Sequence, residues 1–124
     1  MGDPDTNDRF VRRFLDAWER RDVDAILDSF SDDAVYHAMP LPPIVGKAAL
    51  TEWIEHFRDV PPGRLVVHHQ AAAGDVVINE RTDYITLNGR AVTLPICAAF
   101  ELHDGRIMSW REYFDTAPAK AAYG

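Results

Sequence analysis

Three turn dipeptides in the second half of the chain constrain its fold more than any other feature. Gly74-Asp75, Asn88-Gly89 and Asp104-Gly105 each stand between runs of strand-forming residues. Asn-Gly and Asp-Gly dipeptides favour tight hairpins, so this succession predicts an antiparallel meander. The predicted strands cover residues 65–72, 76–87, 90–103 and 106–114. A sheet with strands of this length does not stay flat, and we expect it to curl.

The first half of the chain shows the period of amphipathic helices instead. Apolar spacing predicts a first helix capped by Thr6 or Asn7, a second that is capped by Asp22 and extends to Phe30, and a third over residues 46–57. Each helix has one apolar stripe to bury, so all three are expected to cover one face of the sheet. The predicted fold class is α+β: three N-terminal helices packed on a strongly curved, mostly antiparallel sheet that encloses a pocket.

Length and composition narrow the classes of function. The 124 residues predict one domain, residues 1–124, and the net charge of −7 argues against a nucleic-acid surface. The apolar runs are too short to span a membrane, and Cys97 is the only cysteine, so we expect a cytoplasmic protein with no internal disulfide. The five histidines show no ligand spacing, and we expect no metal site.

Charged residues interrupt two otherwise apolar strand faces. In the strand 76–87, side chains alternate, so Asn79, Arg81 and Asp83 share one face, and Arg81 and Asp83 can pair. Glu112 shares a face of the last strand with three large apolar side chains, Met108, Trp110 and Phe114. If Glu112 is buried, its carboxylate needs a cation nearby. The alternatives are that Arg81 and Asp83 form a surface ion pair and that Glu112 lies at a strand end, where its carboxylate reaches water.

A short strand over residues 34–39 adds Tyr36 and Ala38 on one face. Four segments of the chain resemble the limonene-1,2-epoxide hydrolase family. They are Tyr36-His37-Ala38-Met39-Pro40-Leu41-Pro42-Pro43, Glu80-Arg81-Thr82-Asp83, Ala99–Ile107 and Trp110–Asp115. That family lies within the NTF2-like and SnoaL-like folds. The resemblance covers nearly the whole chain, in order and with matching spacing.

The resemblance implies a cofactor-free enzyme that adds water to a small apolar epoxide in one step and gives a vicinal diol. By position, Asp83 would protonate the epoxide oxygen, Arg81 would lie between the two carboxyl groups, Glu112 would activate the water and Tyr36 would orient it. The predicted substrate-binding residues are apolar or aromatic: Ile85, Leu94, Ile96, Trp110, Phe114, Trp53 and Phe57.

Two positions depart from the family pattern. Glu112 stands where the family has an aspartate, and Ala38 stands where it has the asparagine that holds the water. Asn79, on the Arg81 face, is the candidate replacement for that amide. An epoxide-opening ether cyclase, a ketosteroid-isomerase-like enzyme and a non-catalytic small-molecule binder remain alternatives. A homodimer through the outer sheet face, at Val76, Ile78 and Tyr84, is also expected.

Overall fold

The computed structural model describes residues 2–124 and shows the expected α+β class, in which helices cover a curled sheet. The elements follow in the order α1 (Pro4–Arg20), α2 (Val23–Asp28), β1 (Phe30–Ala38), β2 (Ile44–Val45), α3 (Lys47–Glu55), β3 (Arg64–Ala73), β4 (Val76–Leu87), β5 (Arg90–His103), β6 (Arg106–Tyr113) and α4 (Ala117–Tyr123). None of the helices in this described part of the chain is long and apolar enough to cross a membrane.

One six-stranded sheet has the strand order β2-β1-β6-β5-β4-β3. The predicted meander is confirmed, since β3 to β6 pair as consecutive antiparallel hairpins. At the β4–β5 turn, Asn88 and Gly89 have φ angles of 52° and 73°, the left-handed backbone that the dipeptide predicts. The parallel pairing of β1 with β6 brings the first strand beside the last.

The first helix begins earlier than predicted. Asp3, and not Thr6 or Asn7, is the N-cap, and its side chain accepts a hydrogen bond of 3.1 Å from the backbone N–H of Asp5. Pro4 fits the first turn because it needs no hydrogen-bond acceptor there. Thr6 instead donates its hydroxyl to Asp3, and Asn7 donates its amide to the carbonyl of Gly74.

The second and third helices are shorter than predicted. The second ends at Asp28, and Phe30 begins β1 instead, because it pairs with Ile107 of β6 and is fully buried there. The third ends at Glu55, so Phe57 lies in the following turn. A fourth helix, α4, was not predicted and packs against β5.

A bulge corrects the predicted facing of Met108. Ile107 pairs with Leu102 and Ser109 pairs with Glu101, so Met108 is an extra residue in β6. An extra residue shifts the alternation of the strand. Met108 therefore points outward and is 41% exposed, whereas Trp110 and Glu112 point into the protein.

An aromatic core joins α1 to the inner face of the sheet. Phe14 is buried and packs edge-on against Trp18, Phe30, Phe100 and Trp110, with ring centres at most 6.5 Å apart. Edge-on packing of this kind is favourable beyond the burial of apolar area. The core closes one end of the space between helices and sheet, and a cavity occupies the other.

Candidate active site

The predicted catalytic residues come from three strands of the sheet. Arg81 and Asp83 lie on β4, Glu112 on β6 and Tyr36 on β1, and all four side chains are buried. Alternation along β4 directs Arg81 and Asp83 to the same face, as predicted from the sequence. Because these side chains are buried, Arg81 and Asp83 do not form a surface ion pair, and Glu112 is not an exposed strand-end residue.

Arg81 contacts both carboxyl groups. Its Nε donates to Asp83 Oδ1 at 2.8 Å and its Nη2 to Asp83 Oδ2 at 3.3 Å, and Nη2 also donates to Glu112 Oε2. Nη1 donates to the side-chain oxygen of Asn79 at 3.3 Å. All three guanidinium nitrogens thus have acceptors, which a buried charge requires.

A small residue on the strand between them lets Arg81 reach Glu112. The two residues belong to β4 and β6, which are two strand spacings apart, or about 9.6 Å. Ala98 of β5 pairs with Glu112 on one side and with Asn79 on the other, and it is buried. Its methyl group leaves room for the guanidinium to cross β5 at this point. No local pattern in the sequence marks Ala98 for this position.

Tyr36 forms the fourth contact. Its hydroxyl donates to Glu112 Oε1 at 2.7 Å, and its ring stacks on Trp53 with ring centres 4.5 Å apart. Burial, followed by the charge and hydrogen bond of Glu112, raises the pKa of Tyr36 well above its ordinary value. The hydroxyl therefore stays protonated and remains a donor to Glu112.

Burial also changes the pKa of Asp83. It raises the pKa of this carboxyl group, and the charge of Glu112 adds to the effect, while the bonds from Arg81 oppose it without cancelling it. At Arg81, burial opposes the charge, but Glu112 and Asp83 outweigh burial and raise the pKa of the guanidinium. The cluster thus contains a permanent cation and a carboxyl group that holds its proton more tightly than a free aspartate.

These polar groups border a cavity of about 240 Å³ between the sheet and the helices. The four predicted catalytic residues line the cavity, and so do all seven predicted substrate-binding residues: Ile85, Leu94, Ile96, Trp110, Phe114, Trp53 and Phe57. Among residues 2–124, no three metal-ligating side chains are grouped where they could hold an ion.

Further residues that were not among the predicted site residues also line the cavity. Trp18 and Arg21 come from the end of α1, and Ala119 comes from the unpredicted α4. Ala38 lines the cavity beside Glu112, its partner in the parallel register, and adds no polar group. Helical periodicity marks Trp18 only as a core residue, and no local signal marks Arg21.

Asn79 does not occupy the position that the water-holding hypothesis requires. It is 1% exposed and does not line the cavity. Its oxygen accepts from Arg81, and its amide donates to Gln70 at 3.1 Å, so both ends of the amide are engaged. Gln70 in turn donates to Asp8 of α1 at 2.8 Å. Asn79 thus connects Arg81 to the first helix.

Fold and site together define an NTF2-like α+β protein with a buried arginine–carboxylate cluster at its cavity. Residues 5–120 match the model of the family described as the limonene-1,2-epoxide hydrolase catalytic domain. The chain is 32% identical over 105 residues to epoxide hydrolase EphG of Mycobacterium tuberculosis, an alignment that covers 85% of this chain and 70% of that protein.

Solved structures agree with this assignment. An LEH-like epoxide hydrolase of Mycobacterium tuberculosis superposes with a TM-score of 0.85 at 28% identity, over 96% of this chain and 90% of the other. A SnoaL-like protein of Shewanella putrefaciens, at 13% identity, shares the fold with a TM-score of 0.82 over 94% of this chain and 95% of the other. The chain belongs to the limonene-1,2-epoxide hydrolase family, and the prediction of an enzyme of this type is confirmed.

The contacts of Asn79 generate a stability prediction. Asn79→Ala leaves Arg81 Nη1 and the Gln70 oxygen without their buried partner, so the free energy of unfolding should fall by about 1–3 kcal/mol. Urea unfolding measures the change. Glu80→Ala, on the exposed face of the same strand, is the matched control and should stay within about 0.5 kcal/mol of the parent, since its contact with His69 is exposed. Equal losses in the two variants would contradict a bridging role for Asn79.

Proposed function

We propose that this enzyme adds water to a small epoxide in one step, without a cofactor, by general acid–base catalysis within the Asp83–Arg81–Glu112 cluster. The observation on which the proposal rests is that one buried arginine contacts both carboxyl groups at the wall of an apolar cavity. The apolar and aromatic lining favours a substrate with an apolar body.

The charges of the cluster suit a neutral acid beside an ionised base. Arg81 carries one positive charge, and two ionised carboxylates would leave a net negative charge away from water, which is unfavourable. With Asp83 protonated and Glu112 ionised, the buried cluster is neutral. A difference in protonation between two neighbouring carboxyl groups is the usual mark of an acid–base pair.

In the proposed reaction, the oxygen of a water molecule attacks one epoxide carbon while the bond from that carbon to the ring oxygen breaks. Glu112 accepts a proton from the water, and Asp83 donates its proton to the epoxide oxygen, which becomes the second hydroxyl of a vicinal diol. Afterwards Glu112 is neutral and Asp83 ionised, so the net charge around Arg81 is unchanged. Proton exchange with solvent restores the starting state.

Tyr36 would help to hold the attacking water. Its hydroxyl donates a hydrogen bond to Glu112, so its oxygen can accept a hydrogen bond from a water placed beside this pair. Stacking on Trp53 fixes the ring that carries this hydroxyl. The tyrosine and the glutamate supply two contacts to the water, because Ala38 offers none.

Incubation with an epoxide panel in heavy-oxygen water tests the proposal. The parent enzyme should form diols with one labelled oxygen, and Asp83→Asn should lower their formation by a factor of about 100 or more, since general acid catalysis typically contributes 10²–10⁴-fold. Mass spectrometry measures the label. Thr82→Ala, the neighbour of Asp83 on the opposite face of β4, is the control.

The same assay gives the sign of the pH dependence. Protonated Asp83 is the active form, so diol formation should fall as the pH rises through the pKa of this carboxyl group. Because burial raises that pKa, the fall should begin at a higher pH than for a free aspartate. Epoxides that bind without turnover at any pH would favour the non-catalytic binder instead.

Ala38 favours a second candidate, an epoxide-opening ether cyclase, in which a hydroxyl of the substrate replaces the water. Under the hydrolase hypothesis, Ala38→Asn combined with Glu112→Asp adds an amide beside a shortened carboxylate and should raise diol formation from a hydroxy-epoxide. Under the cyclase hypothesis, the amide takes the place of the substrate hydroxyl, and ether formation should fall. Chromatography of diol and cyclic ether from one substrate distinguishes the two hypotheses.

We also propose that the outer face of the sheet forms a homodimer. Ile78 and Tyr84 are 49% and 43% exposed there, and Met108 and Tyr113 are exposed as well. Exposed apolar groups of this size often mark an interface. Light scattering at micromolar concentration should give twice the mass of the chain, and replacing Ile78 and Tyr84 by aspartate should halve it. A monomeric parent would exclude the dimer.

A further inference from the structure

Arg21 lines the cavity but takes no part in the proposed reaction. It is the C-cap of α1 and has φ 57° and ψ 37°, a left-handed conformation in which glycine and asparagine are the usual residues. A longer side chain at such a position accepts backbone strain, and strained residues cluster at functional sites. The cavity wall beside it is built from Trp18 and Phe57.

The guanidinium of Arg21 is held against that wall. Its Nε donates to the carbonyl of Pro61 at 3.3 Å, and its Nη1 donates to the carbonyl of Trp18 at 3.1 Å. Its central carbon lies 6.0 Å from the ring centre of Trp18 and 5.8 Å from that of Phe57, within cation–π range. The group is therefore oriented before any ligand binds.

Arg21 has no acidic partner among residues 2–124. The salt bridges of the described chain include Arg81 with two carboxyl groups, but none with Arg21. Of the five N–H groups of a guanidinium, two donate to the carbonyls of Pro61 and Trp18, which leaves the others available for a ligand. The cavity thus has one neutralised arginine and one that is oriented and unpaired.

The two polar parts of the cavity influence each other electrostatically. Burial lowers the pKa of the Arg21 guanidinium, and the nearby Asp83 opposes that effect. In return, the charge of Arg21 acts to lower the pKa of Asp83. Arg21 and Asp83 line the same cavity, whose wall also includes apolar side chains such as Ile85, so one ligand in that cavity has both polar groups available to it.

We propose that Arg21 binds a carboxylate of the substrate, so that the substrate class is a small epoxide joined to a carboxylate through an apolar ring or short chain. This inference rests on the proposed function and names the substrate of that site. A carboxylate suits the site because its two coplanar oxygens match the fork of a guanidinium. It would also neutralise the one unpaired cation of the cavity.

A bound carboxylate would also favour the chemistry. A carboxylate bound to Arg21 would offset the positive charge that lowers the pKa of Asp83. Asp83 would then keep its proton, and so its active form, up to a higher pH. The alkaline limb of the rate profile should then lie at a higher pH for an epoxy acid than for its neutral ester.

Matched substrates test the proposal. An epoxycyclohexane carboxylic acid and its methyl ester are compared by the ratio of their kcat/KM values in the parent enzyme, in Arg21→Gln and in Arg21→Lys. The ratio of acid to ester should be at least about tenfold in the parent and should fall to about one or below in Arg21→Gln, since a hydrogen bond to a charged group is commonly worth this factor. Arg21→Lys should lie between them, because it keeps the charge and loses the fork.

The ratio separates binding from stability, since a general loosening of the fold lowers both rates and leaves the ratio unchanged. Arg20→Gln, the exposed neighbour that pairs with Asp22, is the matched control and should keep the ratio of the parent. A parent that prefers the ester, or an unchanged ratio in Arg21→Gln, would overturn the proposal while leaving epoxide hydrolysis intact.

A binding measurement keeps the test independent of turnover. Titration calorimetry compares cyclohexane carboxylate with cyclohexane carboxamide, and the acid should bind the parent more tightly than the amide and lose that preference in Arg21→Gln. If neither epoxide is converted but this preference holds, the hydrolase proposal fails and the carboxylate site stands. Equal binding of acid and amide to the parent would refute the site.

Discussion

Arg81 is a buried cation that contacts two carboxyl groups, one on its own strand and one two strands away in the sheet. Removing a guanidinium from water is costly unless charged partners compensate. Asp83 and Asn79 lie on the same strand as Arg81, whereas Glu112, the second carboxylate, must be brought from β6. The partners come from β4 and β6, with β5 between them. The register of three strands must therefore be correct before the charge is stabilised, so the cluster also favours one arrangement of the sheet.

This requirement explains features that are not themselves polar. The methyl group of Ala98 leaves space where the guanidinium crosses β5, and the bulge at Met108 brings Trp110 and Glu112 to the inner face of β6. The parallel pairing of β1 with β6 places Tyr36 beside Trp110 in the register, within reach of Glu112. The small side chain, the bulge and the parallel pairing all allow polar side chains from different strands to contact one another.

Strand periodicity explains why so much of the site could be predicted. An alternation of two residues put Arg81 and Asp83 on one face, and the cost of an unpaired Glu112 required a cation nearby. Helix ends were less predictable: Phe30 fits the helical template equally well, and its pairing with Ile107 decides in favour of a strand. The direction of a side-chain amide is not encoded in strand alternation: Asn79, predicted to hold the water, instead bridges Arg81 on its own strand and Gln70 on the neighbouring β3.

The two departures from the family pattern are neighbours in the fold, although they are far apart in sequence. Ala38 and Glu112 are direct partners in the parallel register of β1 and β6, about 4.8 Å apart as adjacent strands are. A shorter side chain at one position makes room for a longer one at the other, and both border the cavity. The carboxyl group of Glu112, extended by one methylene, therefore occupies a space that an amide at position 38 would narrow. Because substitutions of residues in contact are generally not additive, the effect of changing Ala38 on activity should depend on whether residue 112 is Glu or Asp.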